Sequence, residues 1–307
     1  MKMKRLLNCT ASDFANMNGT QLRQAIEASE GRVMLSEVIC STRPYFPELS
    51  NAEFAAAFGA DMILLNVFNV DDPKIEGIPS DHPQHVIKNL KKLVGRPVGI
   101  NLEPVDPEAD NAEVLEEIPK GRTANRESLE KAKQLGADFI CLTGNPKTGV
   151  TNSAIIESVK LTKEIFQDDI LIIAGKMHGA GVKNEAGSGL VNAEVVTDLV
   201  QAGADVVLLP GAGTVPGTTL EKVEQLVQMA HEQGALALTA IGTSQEGAAK
   251  ETVQQMALMN KMAGADIHHI GDAGEHGIAV PENIMDYSIA IRGKRHTYVR
   301  MAASVNR

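Results

Sequence analysis

The chain has 307 residues, 43% of them hydrophobic, with a formal charge of −10, 3% aromatic residues and no tryptophan. That is enough apolar material for the core of one globular domain, and no run approaches the ~18 consecutive apolar residues of a membrane span. The acidic balance and the scarcity of aromatic rings supply neither clustered cations for phosphates nor platforms for bases, so neither nucleic acid nor membrane is an expected partner.

Residues 1–31 read as a helical extension. The start, MKMKRLL, carries too few apolar residues for a secretion signal, which together with three widely spaced cysteines (Cys9, Cys40 and Cys141) points to a cytoplasmic protein with reduced thiols. Thr20 is placed to cap a helix over TQLRQAIEAS that plugs a barrel's lower mouth. Strands are then expected at Val33–Ile39, Met62–Val67, Pro97–Leu102, Phe139–Leu142, Ile170–Ala174, Val206–Leu209, Leu236–Thr239 and Ile267–Ile270, each followed by an amphipathic stretch of helical length. A Gly-Ala-Asp phrase precedes every second one, as Gly59-Ala60-Asp61, Gly136-Ala137-Asp138, Gly203-Ala204-Asp205 and Gly264-Ala265-Asp266. Each glycine reads as the left-handed residue that closes a helix before the chain turns into a strand. Four β-α-β-α quarters with strands apolar on both faces predict a closed (β/α)8 TIM barrel, α/β in class. The chain is read as one domain: barrel over 32–292 and a C-terminal helical tail over 293–307. The basic cluster Arg292, Lys294, Arg295, His296 and Arg300 reads as a solvated or subunit-contact surface, which leaves a homo-oligomer open.

Chemistry in such a barrel sits at the C-terminal strand ends. Strand parity points Asn66, Asn101, Glu103, Thr143, Thr239 and His269 inward and His268 outward, and puts Lys176, sharing parity with Ala174, into the mouth; on the first strand Ser36 and Glu37 remain alternatives. With His178 and Asp272 these form the expected site. Lys176, Glu103, His178 and His269 are the catalytic candidates. A lysine beside an apolar interior can serve as Schiff-base nucleophile, proton carrier or fixed cation, the bland alternative being an ion pair with Glu103 or another carboxylate. Glu103 with a histidine is an acid-base pair.

Glycine- and hydroxyl-rich turns follow the last three strands. Gly211 and Gly213, then Gly242, Thr243 and Ser244, then Gly271 and Asp272 are the expected anion-binding set, with Ser244 capping the next helix. Two loops are long enough to cover the mouth, the glycine-dense 179–189 and the acidic 103–126. The usual zinc signatures are missing, and no cofactor is assigned. A divalent metal (Mg, Mn or Zn) held by Glu103, His269 and Asp272 is the alternative.

The phrases DMILLNVFN (61–69) and DFICLTGNPKTGVTN (138–151 and its flank) resemble strands of the BtpA/SgcQ-like TIM-barrel family, while the GKMHGAG turn after strand five departs from it. The resemblance implies an otherwise uncharacterised barrel, a phosphorylated carbohydrate as ligand, and Asn66, Thr143, Gly144, Thr148 and Gly149 lining its site. The sequence thus predicts an enzyme of lyase or isomerase type acting on a small phosphorylated or otherwise anionic metabolite through Lys176 and Glu103. A metal-assisted hydrolase and a non-catalytic ligand-binding barrel are the alternatives.

Overall fold

The computed structural model describes residues 4–79 and 82–307. Within them, strands β1 (Val33–Ile39), β2 (Met62–Asn66), β3 (Val98–Leu102), β4 (Phe139–Leu142), β5 (Leu171–Gly175), β6 (Val206–Pro210), β7 (Leu236–Ile241) and β8 (Ile267–Ile270) pair in parallel in chain order, and β8 closes on β1. The fold is a TIM barrel. Helices α1 (Ala11–Phe14) and α2 (Gly19–Glu27) precede β1. One helix then follows each strand: α3 (Asn51–Ala57), α4 (Val86–Val94), α5 (Arg126–Leu135), α6 (Asn152–Phe166), α7 (Ala193–Ala202), α8 (Leu220–Glu232), α9 (Lys250–Met262) and α10 (Pro281–Ala302). No helix of the described residues is long and apolar enough to cross a membrane.

The Gly-Ala-Asp repeat does two jobs. Its glycines have φ of +105° (Gly59), +81° (Gly136), +111° (Gly203) and +93° (Gly264), which other residues adopt only under strain. Each aspartate then bonds one residue of the preceding strand twice, its N–H to the carbonyl and its carboxylate accepting the N–H. The partners are Met34 (2.7 and 2.8 Å), Val98 (2.8 and 2.8 Å), Ile172 (3.0 and 2.9 Å) and Ala237 (2.9 and 2.9 Å). Four identical clamps at the base of the barrel fix strand register once per quarter.

Side chains alternate between two apolar layers. Leu35, Met62, Leu64, Phe139, Cys141, Leu171, Ile173, Val206, Leu208, Leu236 and Leu238 fill the barrel, and Leu6, Phe14, Leu22 and Ile26 close its floor from the N-terminal extension. Ile63, Ile100, Ile140, Ile172, Val207 and Ile270 pack under the helices. Helix α2 is capped by Asn18 in a capping box with Gln21, and Thr20 lies inside the helix. Gly175 is required where β5 meets β6, because a Cβ there would stand 2.0 Å from the Leu208 carbonyl oxygen.

Helix α10 breaks at Gly293 (φ +74°). The basic cluster there is not a uniform surface: Arg292 and Arg300 are buried and both pair with Asp61, Arg300 Nε at 2.6 Å from Oδ1. Burial pushes the Asp61 carboxyl up, but the two guanidiniums overcome it and hold it below its usual range.

Candidate active site

The C-terminal strand ends open into a cavity of about 490 Å³. The alternation that fills the barrel lower down carries Glu37 (β1), Asn66 (β2), Asn101 (β3) and His269 (β8) to its walls, with Thr143 one step beyond β4, above Leu64 and Leu208. The walls divide into three sectors.

Glu37 and His269, with Glu246 from the turn after β7 and Asp272 from the loop after β8, make an acidic sector. His269 Nε2 lies 3.1 Å from Glu37 Oε2, without the alignment of a hydrogen bond. Burial, reinforced by the Glu37 and Glu246 charges and opposed by an Asn66 bond, pushes the Asp272 carboxyl up to about 8. Burial likewise raises Glu246, with Glu37 adding to it and His269 opposing. Glycine at 271 makes room for this group, since a Cβ would stand 2.2 Å from Glu246 Oε1.

Three carboxamides form the second sector. Asn66 and Asn145 bond each other reciprocally (2.8 and 3.0 Å), Asn101 donates to Asn66 Oδ1 (3.1 Å), and Asn66 Nδ2 also donates to Asp272 Oδ2 (2.8 Å). This sector therefore holds the acid of the first in place. The third wall is Met177, Leu208 and His178 under a roof. Burial and then the Lys176 charge push His178 down, so its ring is neutral at pH 7, with Nδ1 accepting from the Ala180 N–H (3.2 Å) and the proton on Nε2.

The roof is the two expected loops locked together. Asn111 and Val182 form an antiparallel bridge, the Ala112 N–H donates to the Gly181 carbonyl (2.8 Å) and the Lys183 N–H to that of Asp110 (2.8 Å). Inside, several polar atoms are buried without a hydrogen-bond partner among the described residues: Thr143 Oγ1, Asn101 Oδ1, Glu246 Oε2 and both His269 nitrogens. Buried polar groups are rarely left so unless something else engages them, and all of these belong to side chains that line the cavity.

Of the residues expected at the site, Asn66, Asn101, Thr143, Gly144, His178, Thr243, Ser244, His269, Gly271 and Asp272 line this cavity, and Glu37 settles the ambiguity on β1. Several others do not. On β5 the inward residues are Leu171, Ile173 and Gly175, which turns Lys176 to the helix side; its Nζ donates to the Val150 carbonyl (2.7 Å) and pairs with Glu185 (2.7 Å). The ion-pair alternative is what the geometry shows, and the partner is Glu185. Glu103 pairs with Arg122 (2.6 Å) and accepts the Asn145 N–H (2.9 Å), so it anchors a site loop from behind. Thr239 also faces outward, toward Tyr287, because Leu236, Leu238 and Ala240 take the inner positions of β7.

Thr148 bonds the Asn145 carbonyl (2.8 Å) and shapes the loop from outside the cavity, and the Gly149 N–H donates to the Ala180 carbonyl (2.9 Å). The glycine N–H groups of the expected anion-binding turns are engaged within the protein. The N–H groups of Gly211, Gly213, Gly242 and Gly271 donate to Ala240 O, Thr218 O, Thr214 Oγ1 and Ile241 O, and Gly211 and Gly213 lie outside the cavity lining, as does Gly242. Ser244 is left-handed (φ +68°) and caps no helix. The metal set also fails to assemble, with Glu103 turned to Arg122; among the described residues no three His, Cys, Asp or Glu side chains are grouped to hold a metal ion. Sequence reasoning missed Glu246 and Asn145, both in loops where strand parity no longer applies; the flanking Gly242 and Gly271 were the available signal for Glu246.

Residues 7–307 match the model of a family described as a domain of unknown function, DUF7916. The chain belongs to that family. The matching family does not carry the BtpA/SgcQ name, while the TIM barrel expected with it is present. No curated protein matches the chain. Among solved structures this DUF7916 member is similar to a Schiff base forming fructose-1,6-bisphosphate aldolase (13% identity, TM-score 0.52, covering 86% of this chain and 94% of that one). It is also similar to 2,3-dimethylmalate lyase, a PEP mutase/isocitrate lyase superfamily member (14%, 0.51, 82% and 79%), and to an archaeal fructose 1,6-bisphosphate aldolase (13%, 0.50, 88% and 95%). At these identities the likeness is one of fold.

Proposed function

We propose that this barrel is an acid-base enzyme of isomerase or lyase type, working beside a carbonyl or hydroxyl carbon of a small polar metabolite. One observation carries the reading: Asp272, pushed up to about 8, stands in the barrel mouth with Glu246, Glu37 and His269. At pH 7 Asp272 keeps its proton and can give it to a substrate oxygen, while the Glu37–His269 pair accepts a proton from the neighbouring carbon. The C–H electron pair forms the C=C bond as the carbonyl π pair takes the Asp272 proton. The Glu37–His269 pair then returns its proton to the adjacent carbon of the enediol while the other hydroxyl gives its proton back to Asp272, or delivers it to a departing group. Asn66, by bonding Asp272, and Asn145, by bonding Asn66, orient the acid.

An imine route gains no support from the fold neighbours, because Lys176 lies behind the wall and bonded to Glu185. The reacting part of the substrate is uncharged or cationic, since the lining contains no Lys or Arg. Any phosphate on it is held outside the 490 Å³ cavity.

Incubation of sugars, their phosphates and hydroxy or keto acids with the protein in D2O, followed by proton NMR, tests this. Carbon-bound hydrogen should exchange with solvent for at least one compound, and Asp272→Asn and Glu37→Gln should slow that exchange by about 10²-fold or more. Exchange undiminished in both variants would refute the assignment. Binding without exchange would favour the non-catalytic barrel.

A further inference from the structure

In the acidic sector a single basic side chain, the His269 imidazole, faces three carboxyl groups. Glu37, Glu246 and Asp272 face one cavity, and Glu113 reaches it from the roof, yet no Lys or Arg lines it. Three cations near the cavity are engaged elsewhere: Lys176 pairs with Glu185, Arg122 with Glu103 and Lys183 with Asp110. Buried carboxylates without a partner are costly, and a protein relieves that by protonating them or by binding a cation.

The orphaned atoms say which kind of cation. Glu246 is 2% exposed with Oε2 unpartnered, Asn101 is 3% exposed with Oδ1 unpartnered, and Thr143 Oγ1 is buried without a bond. The first two are acceptors in two different sectors, so the missing ligand is rich in donors and reaches from one to the other. A bare metal ion would need three close ligands, and no such group exists among the described residues.

We propose, resting on the acid-base reading above, that the metabolite is an amino alcohol or amino sugar in its protonated form. Its ammonium sits against Glu246, and its hydroxyl or carbonyl groups reach across to Thr143, Asn101 and the Asn66–Asp272 pair. A charge-assisted hydrogen bond in this setting is worth a tenfold or greater preference, about 1.4 kcal/mol, over the neutral analogue.

Matched probes test it, read as thermal stabilisation and as dissociation constants from calorimetry. The panel holds glucosamine, glucose and N-acetylglucosamine, then 1-amino-1-deoxysorbitol and sorbitol, then ethanolamine and ethylene glycol, with MgCl2, MnCl2 and KCl as separate arms. At pH 7 the amine of at least one set should bind about tenfold or more tightly than its neutral partners, and Glu246→Gln should reduce that preference while leaving the neutral partner's binding within about threefold. Equal binding of amine and neutral partner, no binding by any amine, or stabilisation by a metal ion that excludes the amines would overturn the proposal. The two readings fail separately. Solvent exchange into a neutral sugar without amine preference removes only the amine, and tight amine binding without exchange into any compound removes only the acid-base chemistry.

Discussion

Replacing Asp272 by asparagine should make the protein more stable above neutral pH while disabling the site. In the folded chain the carboxyl holds its proton up to about 8, against an ordinary value of 3.8. Between those limits the unfolded chain has released a proton that the folded one keeps, so this group lowers stability progressively as pH rises from about 4 to 8. At pH 7 the ceiling is roughly three units at 1.36 kcal/mol each, about 4 kcal/mol. Asp272 is only half-buried, and relaxation and residual solvent cut this to about 1–2 kcal/mol, or roughly 2–6 °C in Tm for a domain of this size. The substitution is close to isosteric, and the new carboxamide oxygen can still accept from Asn66. Thermal unfolding of both proteins across pH 5 to 9 is the assay. The variant's advantage should grow with pH and level off above 8. Burial lowers His178 and His268, which adds stability as pH rises toward 6.5, but that contribution is common to both proteins and cancels in the difference. An advantage that is flat across pH, or a variant less stable than wild type at pH 8, would refute the claim that Asp272 is held protonated by its surroundings.

Asp61→Ala should cost about 3–5 kcal/mol in denaturant unfolding, because it strands Arg292 and Arg300 in the interior, and a loss below about 1 kcal/mol would contradict the clasp. With its pKa held down, Asp61 supplies stability that is present above the ordinary carboxylate range and lost as pH falls through its lowered value, so wild type should lose more than Asp61→Ala on acidification. Lys176→Met leaves the Glu185 carboxylate, which also accepts the Asn152 N–H at the start of α6, without its cation. Proteolysis within 179–189 should accelerate severalfold, and borohydride treatment with candidate substrates should trap no adduct on wild-type Lys176; a trapped imine there would overturn its placement behind the wall.

Where parity was legible, the site was legible. Polar residues alternate with apolar ones at the ends of β2, β3, β4 and β8, and Asn66, Asn101, Thr143 and His269 all reach the cavity. On β5 and β7 the runs LIIAG and LALTAI contain no such contrast, and size misled: the small Ala174 and Ala237 lie under helices, so Lys176 and Thr239 followed them outward. Beyond the strand ends periodicity carries no information, which is why Glu246 and Asn145 emerged only from the folded loops. The glycine turns were legible as turns, but their N–H groups are spent inside the protein.

The sequence alone determined the barrel, because a helix stop, a turn and a strand start are local events. Four repeats of one phrase specify four equivalent local structures, each clamped to the strand before it by the same aspartate. Tertiary structure decided which charged groups meet. Asp61 finds Arg292 from 231 residues away, and Glu37 at one end of the chain faces His269 at the other, only because β8 closes on β1. Closure sets distance and burial, and these two quantities decide whether a carboxyl is an ion, an acid or half of a salt bridge.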